Sequence, residues 1–364
     1  MSKTMQRDGV KRVVAVDWSG DRSSAGQRRK IWAGVWTAEP TSQKRDMGHP
    51  AGRVKLESGR TRDELCEWLI EMARETPRMA VGVDFCFSYP AWFVLEHGAK
   101  TAPEFWETVV EHGERWLGHE CEDARFWGRK GLHRDGKVPG EFGGAGRERM
   151  FRQADLACKV KGRILDPDEA AKVKGIAPKS PFQIGGAGAV GTGTLRGIPE
   201  LARLRAAGFR IWPFDRPAIA EEQPLLVEIY PRLLTGEVKK GQAKARADYL
   251  AKKRRGDAAY AALPRDAMKK ARGSEDAFDA LVSVMEMAAR REDFLRLPRA
   301  TDVVTLLEGA VWGAGHFVTR IGLRVALPMV ANRIPCRPSG GLREARKGRV
   351  NARLPRREPV RQDR

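Results

Sequence analysis

The stretch Val13-Val14-Ala15-Val16-Asp17-Trp18-Ser19-Gly20 decides how this chain is read. Four apolar residues, three of them β-branched Val, have the pattern of a strand buried on both faces. Such a strand is a costly place to end on a carboxylate, because an ionised acid taken from water without a partner costs several kcal/mol. Asp17 therefore calls for a cation or a chemical role.

Working outward, KIWAGVWTAE follows a polar Gly/Ser loop and alternates Ile31, Ala33, Val35 and Thr37 across a pleat, and GRVKLESG alternates Val54 and Leu56 with polar neighbours. Together they predict an antiparallel meander of three strands. Thr61 and Glu64 have capping-box spacing and open TRDELCEWLIEMARE, a helix with Leu65, Leu69 and Met72 on one face. MAVGVDFCFSYP is a second buried strand running into a carboxylate, Asp84. From Pro90 to Pro181 the pattern changes to amphipathic helices rich in Trp and Phe, then to a Gly/Arg/Lys-rich stretch. The α/β rhythm resumes with IPELARLRAAG as a helix, GFRIWPFD as a short strand and LLVEIYP as a strand carrying Glu228. A Lys/Arg-rich helical region leads to SEDAFDALVSVMEMAARRE, with Ser274 as N-cap and Leu281, Val282, Met285 and Ala289 along one side. VVTLLEGAVWGAG supplies the last apolar cluster, with Glu308 read as a helix-face residue.

The 364 residues suffice for one large domain or two ordinary ones. No run of eighteen apolar residues occurs and the start, MSKTMQRDGVKR, lacks a signal-peptide apolar region, so a cytoplasmic protein without a membrane span is expected. Cys66, Cys86, Cys121, Cys158 and Cys336 are scattered, which argues against a disulfide framework or zinc ribbon. The formal net charge of +20 favours a polyanionic partner, nucleic acid above all. Part of it lies in residues 337–364, where ten Arg and Lys face three acids in a Gly/Pro-punctuated segment expected to be disordered.

Asp17, Asp84, Glu228, Asp276 and Asp279 form the candidate catalytic set. Asp276 and Asp279 stand at i and i+3, on one helical face about 5–6 Å apart. Alone, they read as acids favoured by a helix N-terminus. Joined by acids at the ends of or inside buried strands, they point to a shared divalent ion, Mg²⁺ or Mn²⁺. Two such ions about 4 Å apart hold the attacking and leaving oxygens of a phosphodiester.

The order strand with Asp, two strands, helix, strand with Asp, and a late helix with two acids resembles the ribonuclease H-like fold in the form used by Holliday-junction resolvases. VAVDWSG, VGVDFCFSYP, SPFQIGGAGAVG, LLVEIYP and SEDAFDALV resemble the motifs of a family of predicted RNase H-like nucleases, domain of unknown function 429. The resemblance covers Val13 to Gly313 and implies a metal-dependent nuclease. On it, Asp17 is the first-strand metal ligand, Asp84 the second-strand acid, and Asp276 and Asp279 the terminal-helix acids; Glu228 matches a Glu-x-x-Pro element. Asp84 stands where the pattern has Glu, and five acids compete for four roles. Resolvases of related fold act as dimers, which admits a homodimer here. The expected fold is α/β, an RNase H-like mixed sheet flanked by helices. Its core is formed by residues 10–89 and 182–315, with a helical and Gly-rich insertion at 90–181.

Other signals compete. Gly186, Gly188 and Gly191 fit G-x-G-x-x-G with Asp215 following, but Thr192-Gly193-Thr194 is expected to interrupt the helix that a dinucleotide fingerprint needs. A phosphate-binding Gly turn is the alternative. An actin-like or sugar-kinase ATP-binding protein would show a second strand-Asp-Gly unit, which is absent from the sequence. His112, His119 and Glu120 lack zinc-protease spacing. Phe126, Trp127 and His133 mix with Arg129, Lys130 and Arg134, and with Arg147 and Arg149 beyond, as single-strand nucleic-acid sites do. A catalytically silent nucleic-acid-binding protein is the non-enzymatic alternative.

Overall fold

Val13, Val14, Ala15 and Val16 are at most 1% exposed and lie at the centre of a six-stranded mixed sheet. The computed structural model describes residues 9–39, 52–118, 123, 125–128, 148–160, 179–186 and 188–314. The strands are β1 (Arg12–Asp17), β2 (Trp32–Ala38), β3 (Gly52–Ser58), β4 (Met79–Val83), β5 (Arg210–Ile211) and β6 (Leu225–Glu228), in the order β3-β2-β1-β4-β6-β5. β1, β2 and β3 form the antiparallel meander that their alternation predicts. β4 lies parallel to β1, and β6 parallel to both β4 and β5. Parallel neighbours covered on both faces explain why β1, β4 and β6 read as continuous apolar runs.

The residues between β1 and β2, expected as a loop, include a short helix α1 (Ser24–Lys30), because Ser23 caps Gly26 N–H. Helix α2 (Arg62–Glu75) carries the expected capping box, Thr61 and Glu64 each bonding the other's backbone N–H. Helices α3 (Ala91–Glu96), α4 (Ala102–Leu117) and α5 (Gln153–Val160) come from the Trp- and Phe-rich region. Helix α6 (Gly191–Ala206) starts at Gly191 and runs through Thr192-Gly193-Thr194, which do not interrupt it.

The other layer uses α7 (Pro231–Thr235), α8 (Ala243–Gly256), α9 (Ala258–Ala261), α10 (Arg265–Gly273) and α11 (Glu275–Ala289), and α12 (Val303–Glu308) follows. Ser274 caps α11 as expected, but every residue from Ala277 to Met287 is buried, rather than one side only.

Period-two alternation divides the apolar residues between two cores. Val14, Val16, Val81 and Val83 pack with α2, α4 and α6 through Leu69, Phe105, Trp106 and Ile198. Val13, Ala15, Ala80 and Val227 pack with α11 and α10 through Phe278, Leu281, Val284 and Met268. Phe93, Phe105 and Phe126 sit in the first cluster, so α3, α4 and Phe126 build the same core as the strands, while Ala154 and Cys158 of α5 pack in a small separate cluster.

Helix α11 lies directly on the sheet because three small residues clear its path. Ala15 is in register with Gly34 on β2 and with Gly82 on β4. A Cβ on Gly34 would fall 2.6 Å from Ala280 O and 2.7 Å from Val284 Cγ1, and one on Gly82 would fall 2.7 Å from Met287 Sδ. Gly34→Val is therefore expected to lower stability by roughly 2–3 kcal/mol in urea unfolding, the cost of overpacking a closed site. Gly256→Ala, where nothing lies within 4 Å of the added atom, should instead stabilise by about 0.5–1 kcal/mol in the same experiment.

Candidate functional site

β1 and β4 are parallel with Val16 opposite Val83, so Asp17 and Asp84 come side by side at the C-terminal edge of the sheet. Asp17 shares the parity of Val13 and Ala15, and Asp84 that of Ala80 and Gly82. Both acids thus belong to the face covered by α11. Ala280 rests on Gly34, next to that edge, which brings Asp279 and Asp276 in the first turns of α11 to the same place. Asp84, Asp279 and Asp276 all act electrostatically on Asp17. Four of the five sequence-predicted acids converge.

Asp17 and Asp279 are buried, and Asp84 and Asp276 are partly exposed. Trp18 N–H donates to Asp84 Oδ1 at 2.5 Å, tying the loop after β1 to the acid after β4. Lys240, between α7 and α8, places its ammonium on Asp279 Oδ2 and lies 3.6 Å from Glu275. Asp279 Oδ1 is buried with no hydrogen-bond partner.

Desolvation pushes the Asp17 carboxyl well above the ordinary range, and Asp84, Asp279 and Asp276 push it further against the opposing pull of Lys240. Asp84 is raised by burial and by Asp279, against the Trp18 N–H. Burial lifts Asp279 to about 6 despite Lys240, and lifts Asp276 with help from Glu275. For Lys240, burial opposes the charge, but Asp279, Asp17 and Glu275 together outweigh it and keep the ammonium charged.

These features fit a hard divalent cation. Each of the four donors is a carboxylate, among the described residues Lys240 is the cation in ion-pair contact with the group, and one carboxylate oxygen is buried without a partner. No three of these acids have ligand atoms mutually within 4.8 Å. That spread suits Mg²⁺, which binds through one or two carboxylates and retains water.

Glu228 is a correction to the sequence reading. It follows the parity of Leu226, which faces the other core, and it accepts Phe87 N–H at 2.9 Å there. Arg152, fully buried, forks onto Glu228 at 2.5 and 2.8 Å and onto Asp155 at 2.7 and 3.1 Å. Cys86, Asp155 and Glu228 have ligand atoms within 4.8 Å of one another, but the guanidinium supplies their cation. Glu308, expected on a helix face, is buried and accepts the Ala91 and Gln153 N–H groups, and desolvation raises it to about 7.

Gly186 and Gly188 adopt positive φ, as a Gly turn requires. Gly191 N–H donates to Gln183 O and is not available to a phosphate. Asp215 is paired with Arg205 and accepts Ile211 N–H, which removes the ribose ligand of a dinucleotide site. Phe126 and Trp127 are core residues rather than stacking platforms. Arg149 is exposed, with its guanidinium 5.6 Å from the Trp92 ring. Arg129, Lys130, His133, Arg134 and Arg147 lie outside the described residues, as do His119, Glu120 and residues 337–364. Cys66, Cys86 and Cys158 are buried free thiols, and no helix among the described residues is long and apolar enough to cross a membrane.

Sequence reasoning missed Lys240 and Arg152, since one more cation in so basic a chain carries no signal. No family model, curated protein or solved structure matches the chain.

The crowded acids set a pH dependence. A carboxyl raised in the folded protein holds its proton where the unfolded chain has lost it. That contribution is complete below the ordinary aspartate value of 3.8 and is lost as pH rises through about 6 for Asp279. In EDTA, Asp17→Asn should melt several degrees above the wild type at pH 8 and level with it at pH 4, followed by circular dichroism. Arg152→Ala strands Glu228 and Asp155 in the core and should cost about 3–5 kcal/mol in urea unfolding.

Proposed function

We propose that this protein is a metal-dependent nuclease of RNase H-like fold, hydrolysing phosphodiester bonds of DNA or RNA. The observation that carries the reading is the convergence of Asp17, Asp84, Asp276 and Asp279, from chain segments more than 190 residues apart, with one lysine among them. The element order supports it: a strand ending in Asp, two antiparallel strands, a helix, a parallel strand followed by Asp, and a late helix with two acids. The net charge of +20 supports a nucleic-acid substrate.

In this reading Asp17 and Asp84 would be the residues that hold Mg²⁺ or Mn²⁺. Asp279, with one oxygen held by Lys240 and the other unpartnered, and the half-buried Asp276 would act on the ion through its water ligands. The bound ion supplies an acidified water and a counter-charge for the departing oxygen. Lys240 offsets part of the acids' repulsion toward an incoming phosphate. The fixed Asp84, tied to Trp18 N–H, keeps its carboxylate aimed along the sheet edge.

Labelled DNA and RNA incubated with the purified protein should be cut in Mg²⁺ or Mn²⁺ and left intact in EDTA, with Asp17→Asn slower by at least about a hundredfold. Mn²⁺ should raise the wild-type melting temperature and leave that of Asp17→Asn nearly unchanged. Cleavage that persists in EDTA and in the variant overturns the proposal. Binding without cleavage points to the silent nucleic-acid-binding protein, and ATP hydrolysis to the kinase-like reading.

A further inference from the structure

Helix α8 has the sequence AKARADYLAKKRRG and lacks an apolar face: Leu250 and Arg246 are its buried residues. A helix this polar gains little from hydrophobic burial, so its position needs other anchors. It has three. Arg246 donates to Arg272 O from Nε at 3.1 Å and Nη2 at 2.8 Å, and to Lys240 O from Nη1 at 2.5 Å. Lys253 donates to Glu286 on α11 at 2.9 Å. Tyr249 meets Phe278 edge-on, with ring centroids 5.4 Å apart. These contacts fix α8 against the last turn of α10 and against α11, the helix that carries Asp276 and Asp279.

The anchoring leaves a row of cations outside. On α8, Lys244, Lys252 and Arg255 are exposed and share one side, interrupted by Asp248, which pairs with Lys244 at 2.7 Å. On α10, Arg265, Lys269 and Arg272 are exposed at i, i+4 and i+7. Lys252, Arg255, Arg265, Lys269 and Arg272 make no ion pair within the described residues, whereas the cations turned inward, Lys240 and Lys253, are matched to Asp279 and Glu286. Two helices thus present unneutralised charge, and the second ends at Gly273, directly before the α11 acids.

We infer that α8 and α10 form a docking surface for the sugar-phosphate backbone of a nucleic-acid duplex, placed to deliver it to the acidic edge of the sheet. The partner follows from charge and shape. A duplex carries one negative charge per about 1.7 Å of axis, so the unpaired cations of α10, spread over about 10 Å from Arg265 to Arg272, together with Lys252 and Arg255 on α8, span several phosphates. The absence of exposed aromatic rings among these cations argues for backbone contact rather than base stacking. The surface rests on the nuclease reading for its substrate, but binding is separable from cleavage.

The test is fluorescence anisotropy in EDTA, with a labelled 30-base-pair duplex, across a salt series from 50 to 200 mM. A variant combining Lys252→Ala, Arg255→Ala, Lys269→Ala and Arg272→Ala should bind at least about tenfold more weakly at 150 mM salt. Its log–log salt slope should be shallower by about 0.9 for each lost phosphate contact. The charge-keeping variant Lys252→Arg with Lys269→Arg should bind like the wild type, and so should a control with Lys55→Ala and Arg74→Ala, exposed cations on β3 and α2. An unchanged affinity and slope in the fourfold variant overturns the proposal, as does a wild type that binds phosphatidylserine vesicles but no duplex. Asp17→Asn run alongside keeps the two readings apart: binding retained with cleavage absent in the wild type sinks the nuclease and leaves the surface standing.

Discussion

The contact on which the rest depends is between one helix and three residues too small to hold it away. Gly34, Ala15 and Gly82 form a row across β2, β1 and β4, and Ala280, Val284 and Met287 lie in the groove the row leaves. The helix backbone comes within reach of the sheet backbone, so its N-terminal acids descend to the level where β1 and β4 end. Larger residues in that row would still permit a helix-covered sheet. They would weaken the coupling between Asp279 and Asp17, because the interaction falls as the separation grows.

The sheet therefore separates two groups of buried acids that solve the same problem differently. On one face Glu228 and Asp155 are answered by Arg152, whose planar fork matches two carboxylates at once. On the other, among the described residues, Lys240 is the cation in ion-pair contact with the group of Asp17, Asp84, Asp276 and Asp279, reaching Asp279 and Glu275. A buried pair satisfied by arginine is closed to other cations. A group left short of positive charge is destabilised as pH rises, a sacrifice of stability that functional sites commonly show.

Much of this is legible in the sequence. The meander, the capped α2, the Ser274 cap and the placement of acids after VVAV and AVGV all follow from local pattern, because period-two burial and side-chain capping act within a few residues. Even the misplacement of Glu228 is correctable from parity: it stands with Leu226, while Asp84 stands with Gly82, and neighbouring parallel strands turn those positions to opposite faces. The remainder depends on distant partners. Nothing near Lys240 announces Asp279, and nothing near Arg152 announces Glu228, because ion pairs across 39 and 76 residues leave no local periodicity. Phe126 and Trp127 illustrate the same limit, since an aromatic beside cations has the same composition whether it stacks on a base or fills a core.

Under the proposed function the carboxylate cluster faces an electrostatic contradiction, for it would repel the polyanion it acts on. A divalent ion resolves this at contact distance, but at the range of a Debye length, about 10 Å, the approaching strand feels the surrounding surface instead. α8 and α10 carry exposed cations that make no ion pair with the acids of the sheet edge. The buried Arg246 guanidinium binds the Lys240 and Arg272 carbonyls, which ties α8 to the end of α10 and to the segment that carries Lys240.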